Sequence, residues 1–147
     1  MENPLPTGIK PKFDRKRTLA LLIAACVLLV GALTWRILLE KNSLASRIVR
    51  ELAAHGCTVD ASALYQHEHR SGTSIRAMMG EKDMTAAAEV SRAAGFPSDI
   101  DRQGEVYCLL AQLENGRVLT VFVVDEQTEL AFIQIPDSDE VLPVNAQ

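Results

Sequence analysis

The sequence has few of the residues, and none of the short motifs, on which most enzyme chemistry depends. It holds three cysteines and three histidines among 147 residues, and aromatic residues make up 5% of it. A phosphate-binding loop, a dinucleotide fingerprint, a G-x-S-x-G turn and an E-x-x-H pair are all absent. Asp99 and Asp101 suit acid–base chemistry by type, but they flank Ile100 in a Pro-Ser-Asp segment typical of a turn. The sequence therefore predicts a protein that is not an enzyme and has no cofactor.

Basic residues are scarce after residue 39. Residues 40–147 hold nearly twice as many acidic as basic residues. A nucleic-acid partner needs a basic face, so the sequence predicts none. Residues 1–17 are the opposite, with a net positive charge and three prolines, and they predict a disordered basic cytoplasmic tail.

Charge is almost missing from the run Leu19 to Leu39, whose single charged residue is Arg36. A helix needs about 20 apolar residues to cross a bilayer, so residues 18–39 predict a transmembrane helix that acts as a permanent signal-anchor. Two alternatives remain open. Ser43-Leu44-Ala45 offers a cleavage site for a signal peptide, and Ile23 to Cys26 has the pattern of a lipoprotein acylation site.

The basic residues near the run predict its orientation. Arg15, Lys16 and Arg17 directly precede it, and basic residues concentrate on the cytoplasmic side of membrane helices. Trp35 and Arg36 suit the opposite interface, where an aromatic ring anchors and a long cation reaches water. The sequence thus predicts a single-pass protein of the cytoplasmic (inner) membrane, with its N-terminus cytoplasmic and its C-terminal domain extracytoplasmic.

Three helical segments are predicted after the membrane run. Residues 40–56 form a helical extension with an apolar stripe of Leu44, Ile48 and Leu52, for which Ser43 is a candidate N-cap. Ile75 to Met79 suits one helical turn. Met84 to Ala94 forms a clearer helix after Asp83, and its alanine-rich face suits close packing on a sheet.

Three strands are predicted in the second half of the domain. Glu105 to Leu113 and Arg117 to Asp125 are rich in Val, Leu and aromatics, and Asn115-Gly116 between them is a strong hairpin signal. Glu129 to Ile135 is the third strand, and residues 137–147 are predicted to form an acidic tail. The predicted fold is therefore α+β, with two to four helices on a three-stranded antiparallel meander over residues 57–136.

The central strands are apolar on both sides, whereas a sheet with one wet face should alternate apolar and polar residues. One face of the sheet is therefore expected to pack into the core. The other face is expected to be covered either by a second layer of helices or by a partner protein. The candidate interaction residues form two alternating sets: Leu119, Val121 and Val123 on one side, and Val118, Phe122 and Val124 on the other.

Two groups of side chains are candidates for chemistry. Cys57 and Cys108 are the cysteines of the predicted outer domain, and an oxidising compartment would favour a disulfide between them. His55, His67 and His69 are weak candidates for a zinc or copper site, because H-x-H on a strand places two rings on one face. Exposed histidines are the simpler interpretation of this polar stretch.

The predicted function is that of a membrane-anchored accessory or structural subunit of an envelope membrane complex. Its partners are the lipid bilayer and other membrane or envelope proteins, bound through protein–protein contacts of the outer domain. The alternative is a membrane-anchored extracytoplasmic module that senses a ligand or metal through the region His55 to His69.

Overall fold

The computed structural model of the protein describes residues 15–41 and 43–146. Most of the predicted basic tail and Asn42 lie outside the described residues. The chain divides into two compact units, Met1–Glu40 and Lys41–Gln147. The described elements comprise four α-helices and five strands: α1 (Arg15–Lys41), α2 (Leu44–Ala54), β1 (Tyr65–Thr73), α3 (Ile75–Met79), α4 (Thr85–Ala93), β2 (Gly104–Gln112), β3 (Val118–Val124), β4 (Gln127–Gln134) and β5 (Val141–Pro143).

Helix α1 is the candidate membrane span of the described chain. Residues Arg15–Leu39 are long and apolar enough to cross a bilayer, and none of the residues in the apolar window is buried. This supports the expected long N-terminal apolar helix by length and composition.

Helix α2 begins where a serine supplies its cap. Ser43 has an extended backbone, and its hydroxyl accepts a hydrogen bond from the Ser46 N–H at 3.2 Å. Ile48 and Leu52 are 2% and 0% exposed. Because both belong to the core of the second unit, α2 is an integral part of that domain.

The sheet is larger than the sequence predicted. It has five antiparallel strands in the order β1-β2-β3-β4-β5, so each strand pairs with its neighbours along the chain. The predicted three-stranded meander corresponds to β2, β3 and β4, and the hairpin at Asn115-Gly116 closes through a short 3-10 turn, Glu114–Gly116. The α+β class is confirmed, whereas the strand count was wrong. The predicted acidic tail contains β5, which pairs with β4 through residues 141–143.

Both faces of the sheet are covered. Face 1 packs against α2 and the segments around Cys57 and Phe96, and face 2 packs against α3 and α4. The buried strand residues of face 1 are Leu109, Ala111, Leu119, Val121, Val123, Ala131 and Ile133. Those of face 2 are Val106, Cys108, Phe122, Val124, Leu130 and Phe132.

The outer edge of β4 is closed partly by side chains and loops. The Ser91 hydroxyl of α4 donates to the Ala131 carbonyl at 3.0 Å and accepts from the Ala131 N–H at 3.2 Å. The Ser98 N–H donates to the Glu129 carbonyl at 2.9 Å. Together with β5, these contacts replace the hydrogen bonds that a further strand would make, as buried backbone groups require.

Candidate ligand-binding cleft

A bulge in β1 sets the position of the central histidine. Gln66 pairs with Leu109 and Glu68 pairs with Cys108, so His67 is the extra residue between two pairs. The bulge brings His67 together with Glu68 to the lining of a cavity on face 2. The polar strand that carries them was not predicted from the sequence.

The roof of this cavity is the turn between α3 and α4. Gly80 ends α3 with a positive φ of 63°, a conformation that glycine adopts without strain. The Lys82 N–H then donates to the Met79 carbonyl at 3.3 Å. Asp83 accepts hydrogen bonds from the Thr85 N–H and hydroxyl at 2.9 and 2.6 Å, which fixes the start of α4.

Two cavities lie along this turn, and together we call them the cleft. The inner cavity has a volume of about 170 Å³, and the outer cavity about 590 Å³. Lys82, Met84, Phe132 and Gln134 line both of them. The other residues of the inner cavity are His67, Glu68, Met79, Cys108, Leu110, Thr120 and Phe122.

The inner cavity combines apolar walls with a few polar groups, as small-molecule sites do. The Phe122 and Phe132 rings lie 6.4 Å apart between centroids and are nearly parallel. The Thr120 hydroxyl lies 3.4 Å from the Gln134 amide oxygen. Glu68 is held by Arg70 in an ion pair of 2.6 Å.

The thiol in this cavity is protonated at neutral pH. Burial raises the pKa of Cys108 to about 11, with the nearby Glu68 carboxylate adding to the rise and Lys82 opposing it. A thiol in this state is a poor nucleophile, because the thiolate is the reactive form. The raised pKa therefore disfavours Cys108 as a nucleophile at neutral pH.

The structure does not bring the three histidines together. The His55 ring packs on Phe96 with centroids 4.3 Å apart, and the His69 ring stacks on Tyr107 at 4.2 Å. Since Tyr107, on which His69 stacks, packs against the face 1 core and the bulge sends His67 to face 2, the two rings of H-x-H do not share a site. Among residues 15–41 and 43–146, no group of three or more His, Cys, Asp or Glu side chains could hold a metal ion.

The predicted disulfide is not formed in this structure. All three cysteines lie in the described part of the chain, and none of them is disulfide-bonded. Cys57 is buried in the core of face 1 and Cys108 in the core of face 2. The sheet itself therefore separates the two sulfur atoms, which sequence spacing alone did not reveal.

The predicted interaction surface on the sheet is also corrected. Leu119, Val121 and Val123 are each 0% exposed, and Phe122 and Val124 are 1% and 0% exposed. Val118 is half-buried. Because helices or loops cover both faces, the candidates other than Val118 form core and offer no open contact face.

The two predicted interface anchors lie on α1. Trp35 is 67% exposed, and Arg36 is also exposed. Both fall near the end of the candidate span Arg15–Leu39.

Sequence reasoning missed the cleft because its lining comes from all five strands, from α4 and from the α3–α4 turn. The two adjacent methionines and Met84 were a weak signal for it, since methionine fills adaptable apolar sites. Comparison with known protein families, with curated proteins and with solved structures finds no match for this chain.

Proposed function

We propose that the protein is a single-pass, membrane-anchored accessory subunit of an envelope complex and that it works by protein–protein contacts. The observation that carries the proposal is the exposure of α1. Its Leu, Ile and Val side chains are between 50% and 74% exposed. Exposing such a surface to water costs about 25 cal/mol per Å² of apolar area. In lipid, or against other apolar helices, this cost is removed.

The composition of α1 supports contacts inside the membrane. It contains a series of small residues, which allow helix backbones to approach closely. They are Ala20, Ala24, Ala25, Gly31 and Ala32. The basic residues Arg15, Lys16 and Arg17 support an orientation with the N-terminus cytoplasmic and the domain outside.

The core of the domain is complete without a partner. Both sheet faces are buried, so a partner does not need to finish the fold. Partner contacts of the domain would then use the outer surfaces of its helices and loops. Metal sensing by His55, His67 and His69 is not proposed, because the structure separates the three rings.

Copurification from crosslinked membranes tests the proposal. The full chain with a C-terminal tag should retain a defined set of membrane proteins. A matched control replaces residues 19–39 with an unrelated membrane helix of equal length, which keeps the anchor and removes the α1 surface. Loss of partners in this control would assign the contact to α1, whereas retention would assign it to the domain.

Topology provides the second arm of the test. A reporter fused after Gln147 should be active as an extracytoplasmic reporter, and neutralising Arg15, Lys16 and Arg17 should weaken that preference. A mature chain beginning at Ser46, or a tagged chain that copurifies with no membrane protein, would overturn the proposal.

A further inference from the structure

We propose that the cleft binds a small monocarboxylate, with the apolar part of the ligand in the inner cavity and its carboxylate beside Lys82 and Gln134. This inference is independent of the proposed function, because it uses only the second unit of the chain. The class of ligand follows from the walls, the size and the polar groups of the cleft.

The walls select an apolar group. The Phe122 and Phe132 rings and Leu110 line the inner cavity on the sheet side, and Met79 and Met84 lie on the α3–α4 side. Methionine side chains are flexible and polarisable, and they make favourable contacts with aromatic rings. A flat or branched apolar group therefore finds contacts on both sides.

The volume limits the size of that group. The inner cavity measures about 170 Å³. An engineered apolar cavity of about 150 Å³ in another protein holds a benzene molecule. The apolar part of the ligand is therefore about as large as one aromatic ring.

The polar groups select the carboxylate. Lys82 and Gln134 line both cavities. Since the Gln134 amide oxygen faces the Thr120 hydroxyl, its NH₂ group is the end that can donate to a ligand. Lys82 has no ion-pair partner among the residues that the structure describes.

The acid of the inner cavity is paired within the fold. Glu68 is paired with Arg70 at 2.6 Å. Asp83 is engaged by the Thr85 N–H and hydroxyl. Asp83 and Asp139 line the outer cavity alone. Lys82 is therefore the one charged residue that lines both cavities.

Methyl NMR of the full chain in lipid nanodiscs tests the inference, with 3-phenylpropionate as the probe and empty nanodiscs as the blank. The chain has four methionines, so the spectrum of ¹³C-methyl methionine is simple. The Met79 and Met84 methyl signals should shift on titration. Met78, which is buried in the same core without lining the cleft, should shift less than either.

Two comparisons isolate the role of Lys82. Lys82→Gln should weaken 3-phenylpropionate binding about fivefold, the effect of losing one exposed ion pair. Arg92→Gln, which removes the same charge from the exposed surface of α4, should leave affinity unchanged. The neutral analogue 3-phenylpropanol should bind wild type about fivefold more weakly than the acid and should not distinguish wild type from Lys82→Gln.

The outcomes are decisive in each case. Met79 and Met84 signals that stay unchanged at millimolar probe would overturn the binding site. Equal affinity for the acid and the alcohol, or equal losses in Lys82→Gln and Arg92→Gln, would overturn the assignment of the carboxylate to Lys82.

Discussion

Arg102 and Glu129 form an ion pair in which the carboxylate is withdrawn from water. The Arg102 Nη1 atom lies 2.8 Å from the Glu129 Oε1 atom, and the Glu129 side chain is 1% exposed. The second carboxylate oxygen accepts a hydrogen bond from the Asp99 N–H at 3.1 Å. This pair therefore fastens the loop before β2 to strand β4, and all the polar groups of the carboxylate have partners.

Removing the charge of Glu129 should destabilise the domain. Glu129→Gln keeps the shape but leaves Arg102, which is 33% exposed, without its buried anion. Breaking a buried pair costs about 3–5 kcal/mol, and the partial exposure of Arg102 places the expected loss at the lower end. The free energy of unfolding from denaturant titration measures it.

The matched control is the exposed pair of Arg76 and Asp101, whose side chains are 61% and 64% exposed. Asp101→Asn should change the unfolding midpoint far less than Glu129→Gln, because water already solvates both charges. Equal midpoints for the two variants would contradict the structural role of the buried pair.

A charge on either face of β3 should unfold the domain. Val121 on face 1 and Phe122 on face 2 are 0% and 1% exposed. An unpaired buried carboxylate costs several kcal/mol, which is comparable to the total stability of a small domain, about 5–15 kcal/mol. Val121→Asp and Phe122→Asp should both abolish the cooperative thermal transition. Tyr65→Asp, at a position that is 54% exposed, is the control and should retain it.

The two thiols of the domain should remain unbridged in the native protein. Unfolding in denaturant without a reductant should allow alkylation of both Cys57 and Cys108, because the sheet separates them in the fold. Before unfolding, both should react slowly, since burial raises the pKa of each thiol. A mass spectrum that shows a linked Cys57–Cys108 peptide from the native protein would reject this arrangement.

The Cys108 thiol should make stability depend on alkaline pH. Its pKa is raised from 9.0 to about 11 in the fold. Below pH 9 the thiol is protonated in both the folded and the unfolded state, and its full contribution to the free energy of unfolding is present. Between pH 9 and pH 11 the unfolded chain loses the proton first, so the free energy of unfolding should fall by up to about 1.4 kcal/mol per pH unit.

The comparison with Cys108→Ala isolates that contribution. The variant loses some stability at every pH because a buried side chain is shortened. Its slope between pH 9 and pH 11 should nevertheless be shallower than that of wild type. Parallel curves for the two proteins would show that Cys108 does not titrate differently in the folded and unfolded states.

The parts of the fold that the sequence predicted are those with strong local signals. The alternating apolar residues of β3 indicated two buried faces, and Ser43 was recognised as a helix cap. Strand β1 was missed because its side chains are nearly all exposed and polar, so burial imposes no alternation on them. Strand β5 has three residues in an acidic segment, which is too short to show the alternation of apolar and polar residues that indicates a strand.

The sequence also did not reveal which side chains the fold brings together, for a related physical reason. Proximity in sequence suggested a cluster of His55, His67 and His69, but the bulge in β1 and the two-sided core distribute these rings over different surfaces. The cleft, in contrast, joins residues as distant in sequence as His67 and Gln134. Such a site depends on strand register, which a single sequence does not determine.

The irregular register of β1 has a consequence for solubility. In the part of the chain that the structure describes, β1 is the long strand with an unpaired outer edge, since β5, Ser91 and Ser98 close the other side. Open edges template aggregation, and proteins block them with bulges and charges. Strand β1 has two register shifts and carries Glu68 and Arg70. The edge of the domain is therefore protected against the addition of strands from neighbouring copies, even at high concentration.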